Sequence, residues 1–191
     1  RKSDILANHG VHVAGTDFDR HVELACMLPS CGYRSRGPGD REVPSKVYFD
    51  LATWHLINTV YAPARVAELA RMKSFYAQPQ LHARLMAVVN ARLGHALMAQ
   101  AEAAKIAVAE GADTHVSLQA VEPGLQVPLH AAQALAALEA DLQRIVDAAD
   151  ATLRQAGLAR ERVDALYFTG GSTGLAALAQ RISARFVAAA V

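Results

Sequence analysis

Apolar positions recur along most of this chain at the spacing of an α-helix. The pattern predicts helices over residues 46–61, 63–75, 79–109, 130–155 and 175–186. Pro63 and Pro79 are typical of the first turn of a helix, and Gly157 is typical of the position just past a helix end. Alanine and leucine, both strong helix formers, fill the longer segments. We therefore expect a helix-rich protein.

Fewer segments have the alternation that is typical of β-strands. Residues 4–13 alternate weakly, and residues 162–169 are predicted to be a strand that enters a core. Residues 114–118 and 125–129 alternate with period two, and Pro123-Gly124 between them predicts a hairpin. Together with the helices, these segments predict an α/β fold in the broad sense, α+β and helix-rich.

Composition limits the class of protein. The chain has 191 residues, 52% of them apolar, which is enough to bury a core in one domain or two small subdomains. The net charge of +1 argues against a nucleic-acid-binding protein. No apolar run is long enough to span a membrane. Cys26 and Cys31 are too few for a disulfide framework, so we expect reduced thiols in a cytoplasmic protein.

Two segments combine a predicted strand, a turn of small residues and a predicted helix. In the first, Gly15 and Thr16 open a helix, with Thr16 as the N-cap and with Asp17 and Asp19 interacting with the helix dipole. In the second, Gly170-Gly171-Ser172-Thr173 follows residues 162–169. Glycine allows close backbone approach to a ligand, and the following helix offers N–H groups to it. A tight connection without any ligand explains the pattern equally well.

The remaining polar residues give weaker indications. Glu102 and Lys105 have the spacing of a pair on a helix surface. Arg34, Arg36 and Arg41 are more typical of a solvated loop than of a phosphate site. The histidines lack the spacing of metal ligands, so no metal site is expected. No base follows from the sequence for Ser172, so we expect no catalytic residue.

Three motifs, taken in order, resemble the ATPase domain of the DnaK-type heat-shock chaperones. They are Gly15-Thr-Asp-Phe-Asp19, Glu102-Ala-Ala-Lys105 and Gly170-Gly-Ser-Thr173. Residues 43–55 are similar to the YegD-like branch of that family. The resemblance implies a fragment of an actin-like ATPase domain, its second lobe, with an incomplete sheet. It implies a lower subdomain of residues 1–30 and 130–191 and an upper helical subdomain, with a small hairpin, of residues 31–129.

The resemblance also implies a ligand and a set of residues that bind it. The ligand is ATP or ADP, and the residues implied to bind it are Gly15, Glu102, Lys105, Gly170, Gly171 and Ser172. Three positions depart from the family pattern. Ala14 replaces a glycine, Ala109 replaces a serine near the base, and Gly174 replaces an arginine that packs on adenine. Ala14 implies a slightly shifted turn, and the loss of the arginine at Gly174 implies weaker or altered recognition of the base.

The beginning and end of the chain suggest an excised piece of a longer ATPase. It starts at Arg1 and stops in apolar residues. The family's phosphate loops, catalytic lysine and Mg²⁺-associated aspartates would precede Arg1, so we expect nucleotide binding without hydrolysis, with Mg²⁺ only in the full-length protein. Unfolded clients and co-chaperones would bind elsewhere in that protein. Residues 4–13 would be an exposed sheet edge, which favours homo-oligomers.

Two other interpretations stay open from the sequence. One is a lobe of an actin-like sugar or acid kinase, which fits the Gly-Gly-Ser turn but fits the Asp-Phe-Asp turn and the Glu102–Lys105 helix poorly. Substrate-stimulated kinase activity would favour it. The other is a non-enzymatic helical scaffold whose turns are structural. The scaffold would be favoured if Gly15, Lys105 and Gly170 did not line a common cleft.

Overall fold

The computed structural model describes residues 4–109, 111, 113–170 and 175–190. The α-helices in these residues are α1 (Gly15–Val22), α2 (Lys46–Leu51), α3 (Ile57–Val60), α4 (Pro63–Arg71), α5 (Pro79–Asn90), α6 (Gly94–Ala109), α7 (Ala131–Ala156) and α8 (Ala176–Ser183). Two strands, β1 (Thr114–Ser117) and β2 (Gln126–Leu129), form an antiparallel sheet. The fold is thus helix-rich with a small sheet, as the pattern predicts. Within the described ranges, no helix has both the length and the apolar character that crossing a membrane requires.

The chain forms two compact units. One comprises the residues up to Phe18 together with those from Leu138 onward, and the other comprises Asp19–Ala137. The subdomain limits that the resemblance implies, at about residues 30 and 130, remain a prediction.

The unit formed by Asp19–Ala137 has its core around a tight pair of irregular turns. A π-helical turn, Glu23–Met27, continues α1 and leads into a 3₁₀ turn, Leu28–Cys31. These turns pack against α5, α6 and β2. The largest fully buried side chains here are Met27, Leu28, Tyr48, Leu51, Ile57, Leu69, Leu85, Leu118 and Leu129. The Tyr48 hydroxyl donates a hydrogen bond to the Cys31 carbonyl at 2.9 Å, which ties α2 to these turns.

The predicted helix over residues 79–109 is split into α5 and α6 at Ala91–Leu93. Arg92 has a left-handed backbone (φ +53°), which ends α5. Gly94 then opens α6, and its N–H donates to the Tyr61 hydroxyl at 2.8 Å. A Cβ at Gly94 would lie 2.6 Å from both Ile57 Cγ2 and Tyr61 Oη. The division into α5 and α6 therefore follows from the close packing of Gly94 against α3. The periodicity of apolar residues within α5 and α6 does not predict this contact.

The predicted helix over residues 46–61 is also wrong as a single element. It is divided into α2 and α3, and the Thr53 hydroxyl accounts for part of the division by donating to the Phe49 carbonyl at 2.7 Å. That bond satisfies an oxygen that the end of α2 leaves without a helical partner. By contrast, the predicted helix over 63–75 is confirmed as α4 followed by a 3₁₀ turn, Met72–Phe75.

The hairpin and the long helix that follows it are confirmed. β1 and β2 pair with Thr114 opposite Leu129, and Gly124 in the connection has φ +79°. Asp113, just before β1, accepts the N–H of Ala131 at 2.9 Å and so caps the start of α7. Gly157 ends α7 in the left-handed conformation (φ +66°) that its position predicts.

In the other unit, two predicted strands are wrong: residues 4–13 and residues 162–169 do not form strands. Residues 4–13 lie outside any strand, with Ile5 and Leu6 each 66% exposed. A 3₁₀ turn, Arg160–Arg162, ends at the first residue of the range 162–169, and within that range Ala165 forms a single parallel bridge with Ala190. A strand needs a partner along its length, and among the described residues the pairing of these segments is limited to the single bridge at Ala165. The exposed sheet edge expected at 4–13 is therefore not formed.

Buried side chains in this unit lie mainly on one face of α7, on α8 and just after α8. They include Leu138, Leu142 and Val146 of α7, Leu178 of α8 and Phe186 beyond its end. α8 is shorter than the predicted helix over 175–186. Glu139 of α7 and Arg181 of α8 form an ion pair at 2.6 Å, and Asp150 of α7 pairs with Arg160 and Arg185. The pairing of α7 with the C-terminal segment thus uses both apolar and charged contacts.

Candidate functional site

The first predicted motif begins α1, but its cap differs from the prediction. Gly15 is the first helical residue, and the Asp17 carboxylate accepts the N–H of Ala14 at 2.8 Å. This is the reach-back of a third-position acid to the residue before the helix. The prediction of Thr16 as the N-cap is wrong, because Ala14 holds that position. Asp17 fulfils the capping role that was predicted for it.

Two acids, one in α1 and one in the π-helical turn that continues it, lie on one face, one helical turn apart. Asp19 ends the Gly15–Asp19 motif, and Glu23 begins the π-helical turn that continues the helix. Both side chains are buried, and Glu23 is 0% exposed. π-turns are rare and occur frequently at functional sites. The sequence pattern did not single out Glu23, although an acid between Val22 and Leu24 on a buried stripe could have indicated it.

The Lys105 ammonium of α6 lies 2.6 Å from Asp19 Oδ1. Its side chain is 15% exposed, so the ammonium is largely withdrawn from water. The expected surface pair of Lys105 with Glu102 is therefore wrong: Lys105 turns inward to Asp19, and Glu102 is exposed on the same helix. Two of the three motifs are thus in direct contact.

Burial governs the protonation of this cluster. It raises the pKa of Asp19, against the hydrogen bond and positive charge of Lys105, and the negative charge of Glu102 adds to the rise. Burial also raises the pKa of Glu23 well above its usual range, and the charge of Asp19 raises it further. No described residue donates a hydrogen bond to either Glu23 carboxyl oxygen. Glu23 therefore favours its protonated, neutral form.

The third motif is described only at its first residue. Gly170 has φ +94°, and a Cβ there would meet nothing within 4 Å. This left-handed backbone explains glycine at the position. Gly171 and Ser172, the other two predicted binding residues of this motif, lie outside the described residues, as does Gly174. Their contribution stays a prediction.

The cluster in the Asp19–Ala137 unit has the chemistry of a polar binding site. An ammonium carries three N–H donors, so the ion pair with Asp19 leaves donors for a further acceptor. The exposed Glu102 carboxylate can accept hydrogen bonds from hydroxyl groups. In the part of the chain that is described, no group of three or more His, Cys, Asp or Glu side chains could hold a metal ion. The case for a function rests on these residues, because no protein-family model matches the chain and no solved structure matches it significantly.

Proposed function

We propose that this chain is a nucleotide-binding lobe of a DnaK-type chaperone ATPase domain of the YegD-like branch, with the actin-like fold of that domain. One observation carries the proposal: the ion pair of Asp19 with Lys105 joins the Gly15–Asp19 motif to the Glu102–Lys105 motif. In the family that the sequence resembles, both motifs belong to the nucleotide site. A chance match of two short motifs would give no reason for this contact.

Lys105 and Glu102 would bind the adenosine part of the nucleotide. Asp19 fixes the Lys105 ammonium, which lowers the conformational entropy that the side chain loses when a ligand binds. Glu102, exposed on the next turn of α6, would accept hydrogen bonds from ribose hydroxyls. The backbones of Gly15, Gly170 and Gly171 and the side chain of Ser172 are the remaining residues proposed to bind ATP or ADP.

The same proposal excludes hydrolysis by this chain alone. Phosphoryl transfer depends on cations and positioned groups around the phosphates. Lys105 is proposed to bind the adenosine and not the phosphates, and no motif identified in the chain supplies a catalytic base or a Mg²⁺ ligand. Mg²⁺, unfolded clients and co-chaperones belong, in this proposal, to the full-length cytoplasmic chaperone.

Isothermal titration calorimetry of the 191-residue chain with ADP tests the proposal. Adenosine and inorganic phosphate serve as comparison ligands, because they separate recognition of the nucleoside from attraction of any anion. We expect weak, saturable binding of ADP, weaker binding of adenosine and no saturable binding of phosphate at the same concentrations. Absence of saturable ADP binding at millimolar concentration, or equal binding of ADP and phosphate, would contradict the proposal.

A further inference from the structure

A groove in the Asp19–Ala137 unit runs between α4 and α5. It has a volume of about 530 Å³ and is lined by apolar side chains of both helices and by Tyr61, Asn90 and Arg92. We propose that this groove binds an alkyl carboxylate, that is, a flexible apolar chain that ends in one carboxylate group. The proposal is independent of the one for nucleotide binding, because the groove contains none of the residues proposed to bind ATP or ADP.

The walls of the groove consist of apolar side chains that solvent can reach. On α4, helical spacing places on one face Pro63, Val66, Ala67 and Ala70. Met86 of α5 belongs to the opposite wall. Three of these residues are exposed, and Val66 and Met86 are half-buried. An apolar ligand that covered them would remove their surface from water, which is favourable.

The polar side chains lie together at one end of the groove. Tyr61 lies just before α4 and Arg92 just after α5, and the Arg92 guanidinium is 5.9 Å from the centre of the Tyr61 ring. The start of α4 is therefore beside the end of α5, where Asn90 is the last helical residue. Because the dipoles of the two helices oppose each other at this end, the positive charge there comes from Arg92.

No ion pair joins Arg92 to a carboxylate among the described residues. Arg92 is exposed, and in the described part of the chain no aspartate or glutamate lines the groove. Glu23, whose charge acts on the Tyr61 hydroxyl and raises its pKa, is 0% exposed and favours its neutral form. A carboxylate forms paired hydrogen bonds with a guanidinium, so the carboxylate of a ligand would complement this end of the groove.

The backbone at Arg92 favours another type of residue. It is left-handed (φ +53°), a conformation that glycine adopts without strain and asparagine adopts more readily than arginine. The end of α5 therefore gives no reason for an arginine at this position. An anion bound at the end of the groove does give one.

The dimensions of the groove fit an alkyl chain of medium length. Pro63 and Ala70 are seven positions apart on α4, which corresponds to about 10 Å along the helix axis. A carbon–carbon bond is about 1.5 Å long, so an extended chain of about eight carbons has nearly this length. The volume of about 530 Å³ is within the range of small-molecule sites and larger than one carboxylate group requires. A ligand with both an alkyl chain and a carboxylate would therefore use more of the groove than either part alone.

Titration calorimetry of the 191-residue chain with octanoate tests this inference, with acetate, 1-octanol and octylammonium as comparison ligands. Acetate has the anionic group alone, 1-octanol has the alkyl chain without a charge, and octylammonium has the opposite charge. Each is used below the concentration at which it aggregates. We expect saturable binding of octanoate and at least about tenfold weaker binding of the other three. In ¹³C-edited NMR spectra, octanoate should shift the methyl signals of Val66, Ala67 and Met86.

Arg92→Asn tests the role of the cation. Asparagine adopts a left-handed backbone more readily than most residues, so α5 should end as it does in the wild-type protein. Arg34→Asn is the matched control, because Arg34 is also exposed and left-handed (φ +58°), and its guanidinium lies 5.4 Å from the centre of the Tyr33 ring. We expect Arg92→Asn to weaken binding of octanoate by about tenfold or more and to leave that of 1-octanol unchanged, and Arg34→Asn to leave both unchanged.

Ala67→Glu tests the apolar wall, because it places a negative charge on the exposed face of α4 that lines the groove. Its control is Ala64→Glu, at an exposed alanine of α4 that does not line the groove. We expect Ala67→Glu to weaken binding of octanoate by about tenfold or more and Ala64→Glu to leave it unchanged. The inference would be overturned by the absence of saturable octanoate binding at millimolar concentration, by equal binding of octanoate and any comparison ligand, or by equal affinity of either variant and its control.

Discussion

The Lys105 ammonium and the Asp19 carboxylate meet at 2.6 Å although both side chains are almost withdrawn from water. A buried pair of this kind stabilises little in net terms, because each charge loses hydration when the chain folds. The raised pKa of Asp19 agrees with this view: desolvation outweighs the attraction of Lys105. The pair is therefore better explained by the position it gives to Lys105 than by stability.

Replacing Lys105 by methionine should destabilise the protein by about 3–5 kcal/mol, because Asp19 would remain buried without its partner. The side chains have similar length, so the change removes charge more than volume. Urea denaturation followed by circular dichroism measures the free energy of unfolding.

The double variant Asp19→Asn/Lys105→Met provides the control. Removing both charges leaves no unpaired ion, so the double variant should be more stable than Lys105→Met alone. If the double variant lost as much free energy of unfolding as Asp19→Asn and Lys105→Met lose together, the two residues would not interact.

Glu23 should make stability depend on pH. In the unfolded chain its pKa is near the ordinary value of 4.5, whereas burial and Asp19 raise the pKa in the folded state. Between these pKa values the folded protein binds more protons, so the free energy of unfolding falls as pH rises, by about 1.4 kcal/mol per pH unit. Glu23→Gln should flatten this slope in urea denaturation measured at increasing pH above the ordinary pKa of 4.5.

The matched control for that measurement is Glu161→Gln, at an exposed glutamate. In this variant the free energy of unfolding should change with pH as it does in the wild-type protein. The pKa of Asp19 is also raised, so Asp19 contributes a pH dependence of the same sign, which persists in Glu23→Gln. An identical pH dependence in Glu23→Gln and wild type would refute the proposed protonation of Glu23.

Gly94→Ala should destabilise the protein by about 1–3 kcal/mol, because the new methyl group would overlap Ile57 and Tyr61. Thermal unfolding measures the effect. Gly10→Ala is the control, since a Cβ at Gly10 meets nothing within 4 Å, and its effect should stay within about 0.5 kcal/mol. Equal melting temperatures for the two variants would show that α6 does not require glycine at its start.

Sequence patterns predicted those elements whose determinants are local. The hairpin, α7 and the left-handed Gly157 depend on alternation, helical spacing and glycine's freedom, all of which are visible in short windows. The division between α5 and α6 depends on a contact of Gly94 with Tyr61, which is distant in sequence. The predicted strand at 162–169 failed because alternation does not supply a pairing partner.

The candidate site was predictable only in part. The resemblance identified Lys105 and Glu102, but spacing alone suggested that they pair with each other on the surface. Burial of the α1 face, which brings Asp19 to Lys105, arises from tertiary packing that no local pattern contains. Glu23 was missed because its position between Val22 and Leu24, the one signal in the sequence, does not show that the carboxyl is buried; that follows from tertiary packing.

The most direct test of nucleotide binding compares ADP affinity in Glu102→Gln and Glu161→Gln. Both variants remove one charge from an exposed glutamate, so neither should disturb the fold. We expect calorimetry to show at least a several-fold weaker affinity for ADP in Glu102→Gln and an unchanged affinity in Glu161→Gln. Equal affinity of the two variants, or no binding of ADP to the wild-type chain, would contradict the proposed nucleotide binding.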